Sequence, residues 1–229
     1  MIDIHTHILP LVDDGSSDII DSLQMLKEQV ASGVTDVFLT PHLRGCFNLD
    51  ELSIKKAFSD FCEMVKNNDI NVNLYLGQEI FLSPDNPIIH ETQQIITLNN
   101  TKYILREFDF FAHTDIVEAV YESSRLGFIP IVCHFERYTY ANLEMANDIK
   151  AYGGFIQVNA DSVTGENKSC KKFTRKLLKL GLVDFVASDL HKDRLNRMVE
   201  ARNLIWKKYG KAYADDLFYN NAKKIIGKE

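Results

Sequence analysis

Apolar positions fall into short β-branched runs separated by longer stretches in which hydrophobic residues recur at helical spacing. The runs at 2–4, 36–40, 72–76, 103–105, 129–132, 155–158 and 184–187 read as seven candidate strands. Helical patterns lie between most of them: 18–31 closed by Gly33, 51–66, 115–126 closed by Gly127, and 170–180 closed by Gly181. A glycine just after the last apolar repeat ends a helix because it enters the left-handed region at little cost. Regular strand–helix alternation with short turns predicts a mostly parallel α/β sheet covered by helices, either doubly wound or closed into a barrel. No repeat, low-complexity tract or Pro/Gly-rich linker marks a boundary, so residues 1–229 are read as one domain. The irregular segment 81–100, which contains Pro84 and Pro87, is expected to be a loop with a short helix.

Composition narrows the functional classes. With 45% hydrophobic and 25% charged residues the chain has enough apolar material for a sizeable core. A formal charge of -6 without a long basic run lacks the electrostatic footprint of a nucleic-acid binder. There is no basic stretch followed by an apolar one at the start and no run of about 18 apolar residues, so the expectation is a cytoplasmic protein without membrane insertion. Cys46, Cys62, Cys133 and Cys170 form no C-x-x-C pair and are expected to be reduced thiols rather than disulfides or a thiolate zinc site. None has Arg six positions later, which excludes the phosphate loop of a cysteine-based tyrosine phosphatase.

The candidate chemistry sits at the ends of the predicted strands. His5-Thr6-His7 follows the first, and alternation puts both imidazoles on one side of an extended segment, where they can share a metal. Asp13-Asp14-Gly15 precedes the first helix. His42, Glu79 and Glu107 follow strands two, three and four, His134 ends strand five, and Asp189-Leu190-His191 follows strand seven. Singly, each has a bland reading as a chance H-x-H, a core histidine or a solvated strand end. Together they are expected to converge, because α/β barrels gather functional groups at the carboxyl ends of their strands. Many carboxylates at one mouth repel one another, and divalent cations remove that cost. His90 and His113 fall outside the scheme and are assigned to surface or loop roles.

These residues carry a family resemblance. His5-Thr6-His7, Val12-Asp13-Asp14-Gly15, Thr40-Pro41-His42, Gly77-Gln78-Glu79-Ile80, His134-Phe135-Glu136-Arg137-Tyr138 and Ser188-Asp189-Leu190-His191 resemble the motifs of the PHP (polymerase and histidinol phosphatase) family over essentially the whole chain. The best match within it is the group of manganese-dependent protein-tyrosine phosphatases that act on capsule or exopolysaccharide tyrosine kinases. The resemblance implies a distorted (β/α)7 TIM-like barrel and a trinuclear centre. His5, His7, Glu79 and Asp189 are implied to hold one ion, Glu79, Glu107 and His134 a second, and Asp14, His42 and His191 the third, with Glu79 bridging. It also implies a phosphotyrosine substrate, such as the tyrosine-rich tail of a polysaccharide-export kinase.

Imidazole and carboxylate donors suit manganese, iron, zinc or cobalt, and spacing does not choose among them. Three divalent ions against four carboxylates leave an excess of positive charge for a phosphate dianion, and such ions activate water for in-line attack. A leaving phenolate needs little proton donation, so no general acid is named. Arg137 and Arg194 are candidates to grip phosphate oxygens through the guanidinium fork, with Arg197 an alternative to Arg194 and Arg44 a further contributor. Phe47, Phe108, Phe110, Phe111, Phe135 and Tyr138 lie near predicted strand ends, available to hold a phenyl ring or simply to pack. Two rival readings are a small-molecule phosphatase of the histidinol-phosphate kind and a non-catalytic metal-binding regulatory module.

Overall fold

The computed structural model describes residues 1–45, 47, 49–82 and 95–227. From the N-terminus run β1 (Ile2–Asp3), α1 (Ile19–Ala31), β2 (Asp36–Leu39), β3 (His42–Leu43), α2 (Glu51–Asn67), β4 (Asn73–Leu76) and β5 (Glu79–Leu82). The chain continues through β6 (Tyr103–Phe108), α3 (Ile116–Arg125), β7 (Ile129–Val132), α4 (Leu143–Ala151), β8 (Phe155–Asn159) and α5 (Ala160–Thr164). It ends with α6 (Lys171–Lys179), β9 (Phe185–Ala187), α7 (Met198–Tyr209), α8 (Lys211–Asp215) and α9 (Asn221–Ile226). Helix starts follow capping chemistry: Asp18 accepts from the backbone N–H groups of Ile20 and Asp21, and Asp50, Asp115 and Asn142 cap α2, α3 and α4 in the same way. Gly33, Gly127 and Gly181 all take positive φ beyond the helices they end, as the sequence predicts.

Every strand pair is parallel, in the orders β1-β2-β4 and β3-β5-β6-β7-β8-β9. The two groups belong to one curled wall, because β3 continues the line of β2 and β5 continues that of β4 after short breaks. Backbone bonds span the breaks, Gly77 N–H to Leu39 carbonyl at 3.0 Å and Glu79 N–H to Pro41 carbonyl at 3.1 Å. The wall closes where Asp189 N–H donates to the His5 carbonyl at 2.9 Å and His7 N–H to the Leu190 carbonyl at 3.0 Å. Counting each broken strand once gives seven staves among the described residues, the predicted TIM-like barrel. Gly77 leaves room at its break for Leu98, whose Cδ2 would lie 2.4 Å from a Cβ there and would have to shift.

The barrel interior is filled by Ile2, Ile4, Phe38, Leu105, Ile131 and Phe185. Separate apolar layers join the outer face of the sheet to the helices, for example Ile80, Ile104, Val132 and Ile156 with Ile116, Ile149 and Leu177. Each such side chain contributes about 1.5–3 kcal/mol by leaving water. The packed lower barrel gives the mouth a rigid floor.

The elements correct the sequence reading in detail. Glu107 lies inside β6 rather than after it, because pairing with β5 carries that strand on to Phe108. His42 and Glu79 open β3 and β5 in register with each other, instead of standing in loops. In the irregular segment, Phe81 and Leu82 finish β5 and Leu98–Asn100 form a 3-10 turn. Pro84, Pro87 and His90, like Cys46, lie outside the described residues. Among the described residues no helix is long and apolar enough to cross a membrane.

Candidate metal centre

At the carboxyl end of the strands, Glu79 is buried at the centre of four imidazoles. Its Oε2 faces His42 Nδ1 at 2.9 Å, His7 Nε2 at 3.2 Å and His5 Nε2 at 3.3 Å, and its Oε1 faces His134 Nε2 at 2.8 Å. Asp189 Oδ1 lies 3.6, 3.5 and 3.6 Å from His5 Nε2, His7 Nε2 and His191 Nδ1. Asp14 Oδ1 meets His42 Nε2 at 3.4 Å and His191 Nε2 at 3.5 Å, and Glu107 reaches His42 at 3.6 Å and His134 at 3.9 Å. All nine residues singled out as candidate ligands therefore meet in one place.

Metal-sized groupings among them are His5 with His7 and Asp189, His42 with Glu79 and Glu107, and His7 with Asp14, His42 and His191. The apportionment implied by resemblance differs in adding Glu79 to the His5 group, in giving His134 rather than His42 to the Glu107 group and in leaving His7 out of the Asp14 group. The difference reflects how closely the rings crowd, His7 lying 4.4 Å from His42 and 4.2 Å from His191 between centroids.

The electrostatics call for added positive charge. Burial lowers the proton affinity of His5, His7 and His42, yet neighbouring carboxylates outweigh it and all three end above the ordinary imidazole value. Burial likewise opposes ionisation of Glu79 and Asp189, but the surrounding histidines, and Arg194 beside Asp189, hold both below the usual carboxylate range. Glu107, buried beside the Glu79 charge, is pushed up to about 8, whereas the His191 contact holds Asp14 down at about 2. His134 is lowered to about 4 by burial. His134 Nδ1 is buried without a hydrogen-bond partner. Buried oxygen and nitrogen donors crowded within reach of one another fit divalent cations.

The backbone is bent to build this arrangement. His134 and Asp189 take φ of 33° and 51°, a left-handed conformation that costs a non-glycine residue about 1–3 kcal/mol. Gly15 lets the Asp13-Asp14 turn press on the backbone at His7, since a Cβ there would sit 2.0 Å from the His7 carbonyl oxygen.

A cavity of about 120 Å³ opens above the cluster, lined in part by Arg44, Phe110, Arg137 and Arg194. Arg137, at the end of the Phe135–Arg137 3-10 turn, donates to Asp189 Oδ2 at 3.2 Å, and Arg194 contacts the same oxygen. Arg197 does not line the cavity and pairs with Glu166 and Glu200 at 3.1 and 3.0 Å. Arg44 lies 3.5 Å from Glu107. Of the aromatic candidates, Phe108, Phe135 and Tyr138 are buried in the core, Phe47 stacks on His42 at 6.0 Å, Phe111 is exposed, and Phe110 lies 4.4 Å under Arg137 at the rim. His113 is exposed against Tyr140, as expected.

Several participants escaped the sequence reading. Asp13 Oδ2 receives His7 Nδ1 at 2.7 Å and the His42 backbone N–H at 3.1 Å, and its place in the D-D-G run was the available signal. Gln157 Oε1 lies 3.2 Å from His5 Nδ1, and Asn159 Nδ2 donates to Asp189 Oδ2 at 2.8 Å. These polar residues in an apolar strand signalled buried partners. Such contacts fix ring tautomers and orientations. Cys133 also enters, its Sγ 3.1 Å from Glu79 Oε1 and 3.3 Å from His134 Nε2.

Comparison with known proteins follows the same lines. The family described as capsular polysaccharide synthesis, CpsB/CapC, matches residues 1–227. Tyrosine-protein phosphatase CpsB of Streptococcus agalactiae is 34% identical over 99% of this chain and 98% of its own length. Tyrosine-protein phosphatase YwqE of Bacillus subtilis is 32% identical over 92% and 85%. A crystal structure from work on YwqE of Bacillus subtilis and CpsB of Streptococcus pneumoniae, described as unique metal-dependent tyrosine phosphatases, superimposes with a TM-score of 0.89 at 29% identity. It covers 100% of this chain and 96% of that one.

Proposed function

Because the chain belongs to the CpsB/CapC family of capsular polysaccharide synthesis, we propose that it is a metal-dependent protein-tyrosine phosphatase whose centre is the histidine–carboxylate cluster at the barrel mouth. The observation that carries the reading is Glu79, a buried carboxylate ringed by four imidazoles that one or more cations would satisfy together. His5, His7, Glu79 and Asp189 would hold one ion, Glu79, Glu107 and His134 a second, and Asp14, His42 and His191 a third, with manganese the first choice. When bound, such ions supply an activated water and offset charge at phosphorus.

The remaining chemistry belongs to this chain. Arg137 and Arg194 meet on Asp189 Oδ2, and each guanidinium keeps further N–H donors for phosphate oxygens. Asp189 thereby couples the phosphate clamp to the ligand cluster. The cavity is well below the roughly 300 Å³ of a small-ligand pocket, so it admits a phosphate and leaves an aryl ring at the rim beside Phe110. Recognition centred on the phosphate gives little choice of flanking sequence, which suits a flexible tyrosine-rich tail of a cytoplasmic capsule-synthesis kinase as the substrate. No side chain is required as general acid, since a phenol of pKa about 10 leaves readily.

The test is steady-state kinetics on a phosphotyrosine peptide, a phosphoserine peptide and histidinol phosphate, each with chelator and then with excess Mn²⁺. The phosphotyrosine peptide should be the best substrate, silent in chelator and restored by metal. A higher kcat/KM for histidinol phosphate would replace the assignment with a small-molecule phosphatase, and full activity after prolonged chelation would remove the metal from the mechanism.

A further inference from the structure

We propose that the groove between α6 and α7 is a second, non-catalytic site that binds a phosphotyrosine side chain of the peptide substrate; the inference takes its partner from the phosphatase reading above. The groove has a volume of about 420 Å³ and is lined by Val163, Leu178, Leu204, Ile205 and Tyr209 together with Arg175, Lys207 and Lys208. Val163, Leu178 and Ile205 are buried, whereas the three cations are exposed. Both helices follow the carboxyl end of a strand and run back along the outside of the barrel, and the groove is built from their second halves. It therefore lies on the flank rather than at the mouth. No histidine or carboxylate lines it among the described residues, so it can hold an aryl phosphate but has no donors for a metal that would hydrolyse one.

Charge selects the occupant. The chain carries a net charge of -6, yet residues 167–183 hold six cations, Lys168, Lys171, Lys172, Arg175, Lys176 and Lys179, and no carboxylate. Neither these nor Lys207 and Lys208 have an ion-pair partner among the described residues, whereas Arg197, Arg202 and Lys211 nearby are each paired with one. Screening confines such charges to about 8–10 Å, so an anion reaching this flank meets the local excess and not the net charge. The guanidinium fork of Arg175 and the lysine ammonium groups suit phosphate oxygens, and the apolar wall suits the ring that carries them. Unlike the cavity at the mouth, the groove falls within the roughly 300–1,000 Å³ of small-ligand clefts, which is room for ring and phosphate together. A bilayer is met by apolar side chains that project; here they lie buried behind the cations, where a single inserted side chain reaches them. A tail with several phosphotyrosines would be held by one while another enters the mouth, which raises the effective concentration of substrate there.

Binding and turnover separate the two sites. Fluorescence anisotropy of a labelled peptide carrying two phosphotyrosines is read on the full-length protein in chelator, where the mouth lacks its cations. Arg175→Ala combined with Lys207→Ala should weaken binding by about tenfold or more. Leu204→Ser, which leaves the charge unchanged, should also weaken it, whereas Lys27→Ala combined with Lys66→Ala, which removes the same charge from other helices, should not. The corresponding phosphoserine peptide should bind the wild type about tenfold less well. With Mn²⁺ added, the Arg175/Lys207 variant should show a raised KM for the two-phosphotyrosine peptide, an unchanged kcat, and an unchanged kcat/KM for free phosphotyrosine, which cannot occupy both sites at once. Equal peptide binding by wild type and groove variant, or equal binding of the phosphoserine peptide, overturns the second site and leaves the phosphatase reading standing. So does a groove variant that loses only its binding to phosphatidylserine vesicles, which would assign the face to a membrane. Groove-dependent binding of phosphotyrosine without hydrolysis in Mn²⁺ supports the site and overturns the phosphatase reading instead.

Discussion

Asp36 and Glu79 are both carboxylates buried in the barrel wall, and they are satisfied in opposite ways. Asp36, near the amino end of the strands, accepts from Thr35 Oγ1 at 2.7 Å, Asn73 Nδ2 at 3.1 Å and Tyr75 Oη at 3.0 Å. These are neutral donors from the residue before β2 and from β4, held in place by the fold. Glu79, at the carboxyl end, has imidazoles in those places, three on Oε2 and one on Oε1. Imidazoles complement a carboxylate only by carrying a proton or sharing a cation. The first arrangement holds a fold together; the second keeps a place for exchangeable positive charge.

The largest expected effect comes from dismantling the second arrangement. Loss of outer-sphere support alone costs about 10–100-fold, so Glu79→Ala or His5→Ala should lower kcat/KM by more than about 1000-fold with loss of bound metal. Elemental analysis and phosphopeptide kinetics on the same preparations check this, and retention of metal with full activity would erase the contrast with Asp36. Next, Arg137→Ala and Arg194→Ala should each lower kcat/KM about 100-fold with metal content nearly unchanged, whereas Arg197→Ala should be silent. A damaging Arg197→Ala beside a silent Arg194→Ala would move the clamp away from Asp189.

A smaller effect follows from proton competition. His5, His7 and His42 sit above the ordinary imidazole value and must release protons to bind metal, so affinity should fall as pH falls. Calorimetric titration with Mn²⁺ should show a decrease of about tenfold or more from about pH 8 to about pH 6. An affinity flat across that range would mean that the imidazoles are already neutral, and that Glu79 is less dependent on them than the distances indicate.

Glu136 offers an intermediate case: burial pushes it up to about 7, though the Asn159 backbone N–H donates to its Oε1 at 3.0 Å. With a folded value above the unfolded one near 4.5, its neutral form favours the fold. Stability is therefore fully present at low pH and is lost as pH rises towards about 7, by up to about 3 kcal/mol. Glu136→Gln, read by thermal melts, should raise Tm at about pH 8 and leave it little changed at about pH 4; the reverse ranking would show Glu136 to be stabilised as a charge. Smallest of all, Asp36→Asn should cost about 1 kcal/mol in denaturant unfolding and leave metal content untouched. Loss of metal in that variant would show that the two ends of the barrel are not independent.

The sequence by itself determined the alternation of strand and helix, because apolar period and capping residues are local properties. Asp18, Asp115, Gly33 and Gly127 do what their positions predict. It also placed eight of the nine candidate ligands, all but Asp14, at or just after strand ends, since a parallel βα order sends every such end to the same face. The tertiary structure decided what depends on closure and crowding. Pairing across the barrel split two strands at Thr40-Pro41 and Gly77-Gln78, so His42 and Glu79 stand in register within the wall rather than in loops. Packing between distant segments brought Asp13, Gln157 and Asn159 onto His7, His5 and Asp189 and turned the Cys133 sulfur towards Glu79. The reach of a side chain likewise separated Arg194, on Asp189, from Arg197, on Glu166 and Glu200. A short sequence window fixes a strand end to within about two to four residues. Which donor meets which oxygen depends on differences of about an ångström, and only the closed barrel sets them.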